Sequence, residues 1–341
     1  MLKHDQSRTR TRTGWTILIG VVIMSLLLSG CGASKPKVYR VGILHVSGSF
    51  VVIADGFKAQ MTKLGYVEGK NIVYDYLEVP QTATTAEAQL LAKKFVDAKV
   101  DLIFAFPTPP TVAAHAATQG TKIPVVFAMS SLEGLNLIKS VREPGGNMTG
   151  VRYPGPEMIS KRLEILVEAA PRVKRVWLGY DKNHANTAPA LEVLRPAAAS
   201  LGVTLVEVPA ATLKELEADL AARAKSADLG LDAIVTMNDG FNQGPEGYAL
   251  LSKFAKEHKV PLCAGVLSTV QQGAVCGNSP DLVGVGKLAA PLADKILKGT
   301  PAGTIPVITP EQELYINYKV AQELGLTVPE GLLKQAATIV R

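Results

Sequence analysis

Short apolar runs alternate with longer amphipathic segments through the first half of the chain. The runs are rich in β-branched and aromatic residues, as strands are, whereas the segments between them repeat apolar residues every three or four positions, as helices do. The run at 101–106 is almost continuously apolar, which indicates a strand buried on both faces of a parallel sheet. The predicted strands are 38–46, 71–79, 101–106, 124–129 and 147–152, and the predicted helices are 50–64, 85–98 and 109–119.

The same alternation starts again in the second half of the chain. Strand–helix units of about 30 residues imply right-handed crossovers and parallel sheets. We therefore predict an α/β fold of two doubly wound parallel-sheet lobes that meet near residues 150–156. The predicted helices of the second half are 157–170, 188–201, 213–226, 247–258 and 282–297, and the predicted strands are 175–180, 203–208, 232–237, 260–264, 274–277 and 305–308. A run rich in Tyr, Ile and Asn at 314–318 then leads into a short terminal helix.

The amino terminus has the pattern of an export signal. A basic stretch at 3–12 precedes an apolar run at 15–28, which is shorter than the roughly 20 residues that a spanning helix needs. The run ends in Leu-Ser-Gly-Cys, which resembles the bacterial lipobox and predicts a signal peptide at 1–30, a lipid anchor on Cys31 and a tether at 31–37. The alternatives are a signal anchor, or an ordinary secretory signal with a chance cysteine. Either way, the chain is predicted to be exported, and the lipobox places it on the extracytoplasmic side of a bacterial membrane.

Composition and charge narrow the range of functions. The 47% of apolar residues excludes a mainly disordered chain. Lys and Arg number 36 against 30 Asp and Glu, a net charge of +6, and residues 1–30 supply half of it. The rest of the chain has no long block of like charges, so we predict no nucleic-acid partner.

Motifs for catalysis or cofactor binding are missing from the sequence. It contains no Walker A loop, no G-x-S-x-G elbow, no H-E-x-x-H and no C-x-x-C, which argues against an enzyme. Gly284, Gly286 and Ala289 match G-x-G-x-x-A, but we interpret the glycines as helix-packing positions, and we predict no cofactor. The histidines are scattered, so no metal site is predicted. Cys263 and Cys276 are either a disulfide or two small buried residues on neighbouring strands.

Six short motifs occur in order along the chain: LGYVEGKNI at 64–72, KIPVVFA at 122–128, EPGGNMTGV at 143–151, ILKGTP at 296–301, IN at 316–317 and LGLTVP at 324–329. Together they resemble the ABC-transporter substrate-binding protein family, of the kind that includes tryptophan/tyrosine-type binding lipoproteins. The resemblance covers roughly residues 38–340. It implies a type-1 periplasmic-binding-protein fold and a receptor that delivers a small molecule, such as an amino acid, to an ABC permease. The alternative is a lipoprotein of the same fold that senses a ligand for a signalling receptor.

Type-1 binding proteins cross between their lobes three times. Carried onto this chain, the resemblance places lobe one at 38–152 plus 280–306, and lobe two at 153–279 plus 307–341. Ligands of open α/β sheets bind outside the carboxyl ends of the strands. With two lobes facing each other, those ends border a cleft.

Candidate ligand contacts in lobe one follow its strands. These loops contain small and hydroxyl-bearing residues and open helices, where backbone N–H groups favour a carboxylate. Ordinary helix capping explains the same residues equally well. The candidates are Ser47, Gly48, Ser49, Phe50, Thr108, Ser130 and Ser131.

Candidate contacts in lobe two also follow strands, in a region that resembles the family's Asn-rich loop. An ammonium group requires a carboxylate partner, which Asp181 or Asp239 can supply. An aromatic ring at the lobe junction can stack on an apolar ligand. The candidates are Tyr153, Asp181, Asn183, Asn186, Asn238 and Asp239.

Overall fold

A computed structural model of the chain describes Met1 and residues 37–46, 49–80, 83–184 and 186–341. The predicted signal peptide, Cys31, Ser47 and Gly48 lie outside the described residues, as does the side chain of Ser49. Within the described part, none of the helices has the length and hydrophobicity needed to span a bilayer.

The first half of the chain forms a five-stranded parallel sheet in the order β2-β1-β3-β4-β5. Every residue of β3 and β4 is buried, because helices cover both faces of the sheet. The strands are β1 (Tyr39–Val46), β2 (Ile72–Val79), β3 (Leu102–Phe106), β4 (Val125–Ser130) and β5 (Met148–Arg152), and the helices are α1 (Val52–Lys63), α2 (Thr85–Asp97) and α3 (Thr108–Thr118), with a 3-10 turn at Ser49–Val51.

The second half forms a seven-stranded sheet in the order β12-β11-β10-β9-β8-β6-β7, parallel except between β10 and β11. Its strands are β6 (Arg175–Asp181), β7 (Thr204–Ala210), β8 (Ala233–Val235), β9 (Leu262–Ala264), β10 (Cys276–Ser279), β11 (Glu313–Asn317) and β12 (Ala336–Val340). Its helices are α4 (Gly155–Ala169), α5 (Thr187–Leu201), α6 (Leu213–Ala224), α7 (Gly240–Gln243), α8 (Pro245–His258), α9 (Leu267–Gln271), α10 (Leu282–Leu297), α11 (Tyr318–Glu323) and α12 (Glu330–Gln335). The two sheets confirm the predicted α/β class.

The chain passes between the two sheets three times. It leaves the first sheet after β5 and enters α4, which packs on the second sheet. After β10 it returns to place α10 against α1 of the first sheet. Ile308 then pairs with Val151, its N–H donating to Gly150 O at 2.9 Å, before the chain reaches β11 in the second sheet. Ile308 therefore lies against the first sheet, two residues beyond the predicted limit of lobe one.

Two elements near the carboxyl terminus differ from the sequence prediction. The expected strand at 305–308 is a single bridge at Ile308 that follows a 3-10 turn at Ala302–Thr304, and Pro306 lacks the N–H that a strand ladder uses. The predicted short helix after residue 318 is present as α11, but the chain continues beyond it through α12 and ends in β12, which pairs in parallel with β11. Three consecutive β-branched residues, Thr338, Ile339 and Val340, favour this strand.

Cys263 and Cys276 occupy directly paired positions on the neighbouring parallel strands β9 and β10. Their Cα atoms are 4.7 Å apart, both residues are fully buried, and their sulfur atoms form a disulfide. The structure thus selects the disulfide from the two alternatives that the sequence left open. The bond covalently links β9 and β10, two central strands of the second sheet.

Candidate ligand-binding site

Hydroxyl side chains tie together the loops at the carboxyl ends of β3 and β4. The N–H of Ser131 donates to Thr108 Oγ1 at 3.0 Å, which links the loop after β4 to the start of α3. Ser130 is fully buried, and its Oγ shares a hydrogen bond of 2.6 Å with Thr111 Oγ1. The Ser130 side chain therefore faces the interior of the lobe. Thr108 is half-buried, whereas Phe50 packs against the apolar core of the same lobe.

Two carboxylates at the carboxyl ends of β6 and β8 are held by local hydrogen bonds. Asp239 is 4% exposed; its Oδ1 accepts from the N–H and Nδ2 of Asn242 at 3.0 and 2.8 Å, and its Oδ2 accepts from Asp181 N–H at 3.1 Å. This carboxylate caps α7 and fastens it to β6. Asp181 is half-buried and accepts from the N–H of Asn183 at 2.8 Å.

A small pocket at this edge of the second sheet brings three of the predicted residues together. Asn183 is exposed, and neither it nor Asp181 is among the lining residues. The lining consists of Gly155, His184, Asn186, Thr187, Ala190, Met237, Asn238 and Asp239. A larger depression lies at the opposite edge of the first sheet, near Tyr39 and Asp101, and contains none of the predicted residues.

The first crossing segment joins the two groups of candidate residues. The N–H of Tyr153 donates to Ser130 O at 2.9 Å, on the side of the first sheet. Two residues later, Gly155 O accepts from Asn238 Nδ2 at 3.3 Å, on the side of the second sheet. Tyr153 is half-buried, and burial raises the pKa of its hydroxyl to about 12, so the ring is neutral at physiological pH. This segment is the place where polar strand ends of both sheets meet.

Arg162 is a buried charged residue that the sequence prediction missed. Its side chain is fully buried: Nε donates to Asn278 Oδ1 at 3.1 Å, and Nη1 donates to Thr236 O at 2.6 Å and to Asn238 Oδ1 at 3.2 Å. Burial lowers the pKa of the guanidinium to about 10, which leaves it charged at neutral pH.

The signal for Arg162 was present in the sequence. It lies on the same face of α4 as Met158, Ile159 and Leu166, three and four residues away, all of them buried. A cation within an apolar helical stripe indicates a buried charge, and such a charge needs polar hydrogen-bond partners in the core. Asn278 could not be identified in the same way, because its neighbours become its partners only after β10 is placed beside α4.

The fold and the comparisons with known proteins define the class of this protein. Two parallel-sheet lobes joined by three crossings form the type-1 periplasmic-binding-protein fold, which the chain shares with solute-binding proteins of known structure. The family model for ABC transporter substrate binding proteins matches residues 41–340. The chain belongs to that family.

Individual relatives agree with this assignment. A tyrosine-binding protein of Clostridioides difficile strain R20291 is 30% identical over 274 residues, which is 80% of this chain and 76% of the relative. A substrate-binding protein with adhesive properties from Clostridium difficile, in a ligand-free open structure, is 25% identical with a TM-score of 0.74, covering 89% of this chain and 99% of the other. A Streptococcus pneumonia ABC domain in complex with L-Trp shares the fold, with a TM-score of 0.73, 24% identity and coverage of 89% and 100%.

The two carboxylates of the second sheet are expected to respond differently to mutation. Asp239→Ala removes a helix cap and leaves buried donors without an acceptor, so it should lower the free energy of unfolding by about 2 kcal/mol. Asp181→Ala removes one local bond at a half-buried position and should cost less than about 1 kcal/mol. Urea denaturation of the empty proteins measures both values. Equal losses in the two variants would contradict the capping role of Asp239.

Proposed function

We propose that this protein captures a small molecule, an amino acid or a similar solute, in the cleft between its two lobes and delivers it to an ABC permease. The main support is the crossing segment, where Tyr153 N–H reaches Ser130 while Gly155 O reaches Asn238. A ligand placed there can touch polar groups of both sheets at once. The tyrosine-binding relative, 30% identical over most of both chains, favours an amino acid as the solute.

The capture mechanism we propose is closure of the two lobes about the three crossings. A solute that contacts both lobes binds the closed form more tightly than the open form and shifts the population towards it by that difference in affinity. We assign the first contacts in lobe one to residues 47–50, Thr108 and Ser131, and those in lobe two to Asn186, Asn238 and Asp239. Tyr153 lies between the two groups, where its neutral ring can pack on an apolar part of the solute.

The ligand hypothesis is tested by isothermal titration calorimetry of the mature chain with L-tyrosine, L-tryptophan, L-leucine and D-glucose. We expect saturable binding of at least one amino acid and no binding of the sugar. Small-angle scattering should then show a smaller radius of gyration in the bound state, because closure brings the lobes together. Binding of glucose in preference to every amino acid would overturn the assignment of solute class.

We also propose that acyl chains on Cys31 hold the protein at the extracytoplasmic face of the membrane. Each buried methylene contributes about 0.8 kcal/mol, and more than one chain is needed for stable anchoring. Cys31→Ser should therefore move the protein from the membrane pellet to the soluble fraction of cells. Arg195→Gln, a change on the exposed face of lobe two, is the control and should stay with the membrane. Retention of the Cys31 variant in the pellet would show that another segment anchors the chain.

A further inference from the structure

Arg162 is a fully buried cation for which the described residues supply no anion. The acceptors around it are neutral: the amide oxygens of Asn278 and Asn238, and the carbonyl and hydroxyl oxygens of Thr236. Its second terminal nitrogen, Nη2, is buried and has no hydrogen-bond partner among the described residues. Buried charges in proteins are ordinarily paired with an opposite charge, since desolvation of an isolated one is costly. The site therefore lacks its counter-charge.

The unpartnered Nη2 lies at the carboxyl edge of the second sheet, where β8, β9 and β10 end. A Cβ atom added to Gly265, the residue after β9, would be 3.3 Å from Nη2 and 3.6 Å from Gln243 Nε2. Glycine at this position allows the chain after β9 to approach Nη2 more closely than a residue with a side chain would. Arg162 Nη2 and Gln243 Nε2 are therefore neighbouring donors at this strand end, next to the crossing segment.

We propose that Nη2 of Arg162 binds a carboxylate group of the captured solute. This inference rests on the proposed function and specifies which chemical group the cleft requires. A guanidinium donating to a carboxylate forms a charge-assisted hydrogen bond, roughly twice as strong as a neutral one. The bound solute supplies the missing anion, so that the charge buried by folding is compensated only in the loaded protein.

The residues around Arg162 also favour one orientation of the bound solute. Asn238 accepts from Arg162 through Oδ1 and is followed in the chain by Asp239, which is one of the residues that line the adjacent pocket. A zwitterionic solute can therefore place its carboxylate at Arg162 and its ammonium towards Asp239. A simple carboxylic acid can use the first of these positions only. Both kinds of solute present a carboxylate to Arg162. A set of ligand analogues distinguishes a zwitterionic amino acid from a simple carboxylic acid.

The test compares four probes that differ by one group: L-tyrosine, L-tyrosinamide, tyramine and 3-(4-hydroxyphenyl)propionate. For the unmodified protein we expect L-tyrosine to bind at least tenfold more tightly than either probe without a carboxylate. If the propionate binds as tightly as L-tyrosine, the solute is a carboxylic acid and the ammonium contact is absent. If it binds at least tenfold more weakly, the solute is an amino acid. Equal affinity for L-tyrosine and tyrosinamide would overturn the inference.

Arg162→Gln should weaken L-tyrosine binding at least tenfold and leave tyramine binding unchanged, because only the carboxylate contact is removed. Arg195→Gln is the matched control, since it removes the same charge from the exposed face of lobe two, where Arg195 pairs with Glu207. Equal losses for both probes in Arg162→Gln would assign Arg162 a purely structural role and overturn the inference. If Arg162→Gln bound L-tyrosine and tyramine with unchanged affinity, the inference would also be overturned, while the proposed function would stay intact.

A thermal-shift measurement on the unmodified protein tests the same point without a variant. A panel of small carboxylates, each paired with its amide, should raise the melting temperature only in the carboxylate form. Stabilisation by carboxylates other than amino acids would support the role of Arg162 while contradicting the proposed class of solute. Equal shifts from the acids and their amides would overturn the role of Arg162.

Discussion

Loss of the bond between Cys263 and Cys276 is expected to lower the free energy of unfolding by about 3 kcal/mol. The two cysteines are 13 residues apart, and closing a loop of that length removes about this much conformational entropy from the unfolded chain. Both residues are fully buried on adjacent central strands, so the folded sheet holds them together with or without the bond. The effect should therefore fall mainly on the unfolded state.

Urea denaturation of the oxidised protein and of protein unfolded and refolded in dithiothreitol isolates the bond, because the two samples share every other atom. The double variant Cys263→Ala/Cys276→Ala provides the control, and its midpoint should not respond to the reductant. Coincident midpoints for the oxidised and reduced samples would show that the bond adds nothing to stability. An exported protein can retain such a bond, since its compartment is oxidising.

The order of strands and helices was largely predictable because burial dictates it locally. Strands enclosed by helices on both faces, such as β3 and β4, consist almost wholly of apolar residues. A long helix such as α10 repeats apolar residues at the helical period, and its predicted bounds match the structure. The short elements α7 and α9 were missed, since a helix of four or five residues contains too few turns to show a period.

The strand β12 shows a second limit of prediction from local pattern. It contains five residues, follows directly from α12 and pairs with β11 at the edge of the sheet. Its β-branched composition favours a strand, but five residues are too few to show a period that distinguishes a strand from the end of a helix. The partner decides between them, and the partner is not visible in a sequence window.

The position of the candidate site could be predicted from the sequence, but the role of each side chain in it could not. Loops after parallel strands gather at one edge of a sheet, so Asn186, Asn238 and Asp239 could be placed near one another in advance. Whether a side chain turns outwards depends on a partner distant in the chain. Ser130 bonds to Thr111 inside the lobe, and Asp239 bonds to Asn242, so both have structural contacts that the sequence did not reveal.

The closest packing between helices in lobe one depends on two glycines. A Cβ atom on Gly286 of α10 would lie 2.0 Å from Ile53 O of α1, and one on Gly56 of α1 would lie 2.0 Å from Val283 O of α10. These contacts confirm that Gly286 is a helix-packing position, as the sequence analysis interpreted it; the atoms nearest to a Cβ atom on Gly284 would be those of the Asp281 side chain, which caps the same helix, so the same interpretation was wrong for Gly284. The contacts of Gly56 and Gly286 also fix α10, which arrives after the second crossing, onto the first sheet.

Gly286→Ala should therefore lower the free energy of unfolding by about 3 kcal/mol, because the added methyl group meets backbone atoms that cannot rotate away and must push the two helices apart. Gly331→Ala is the matched control: it makes the same change in α12, where the added Cβ would meet no described atom within 4 Å apart from its chain neighbours and its own helix backbone, and should raise stability by up to about 1 kcal/mol through helix propensity. Urea denaturation of both variants measures this difference in sign. A Gly286 variant as stable as the unmodified protein would mean that α10 does not approach α1 this closely, and the assignment of α10 to lobe one would lose its strongest contact.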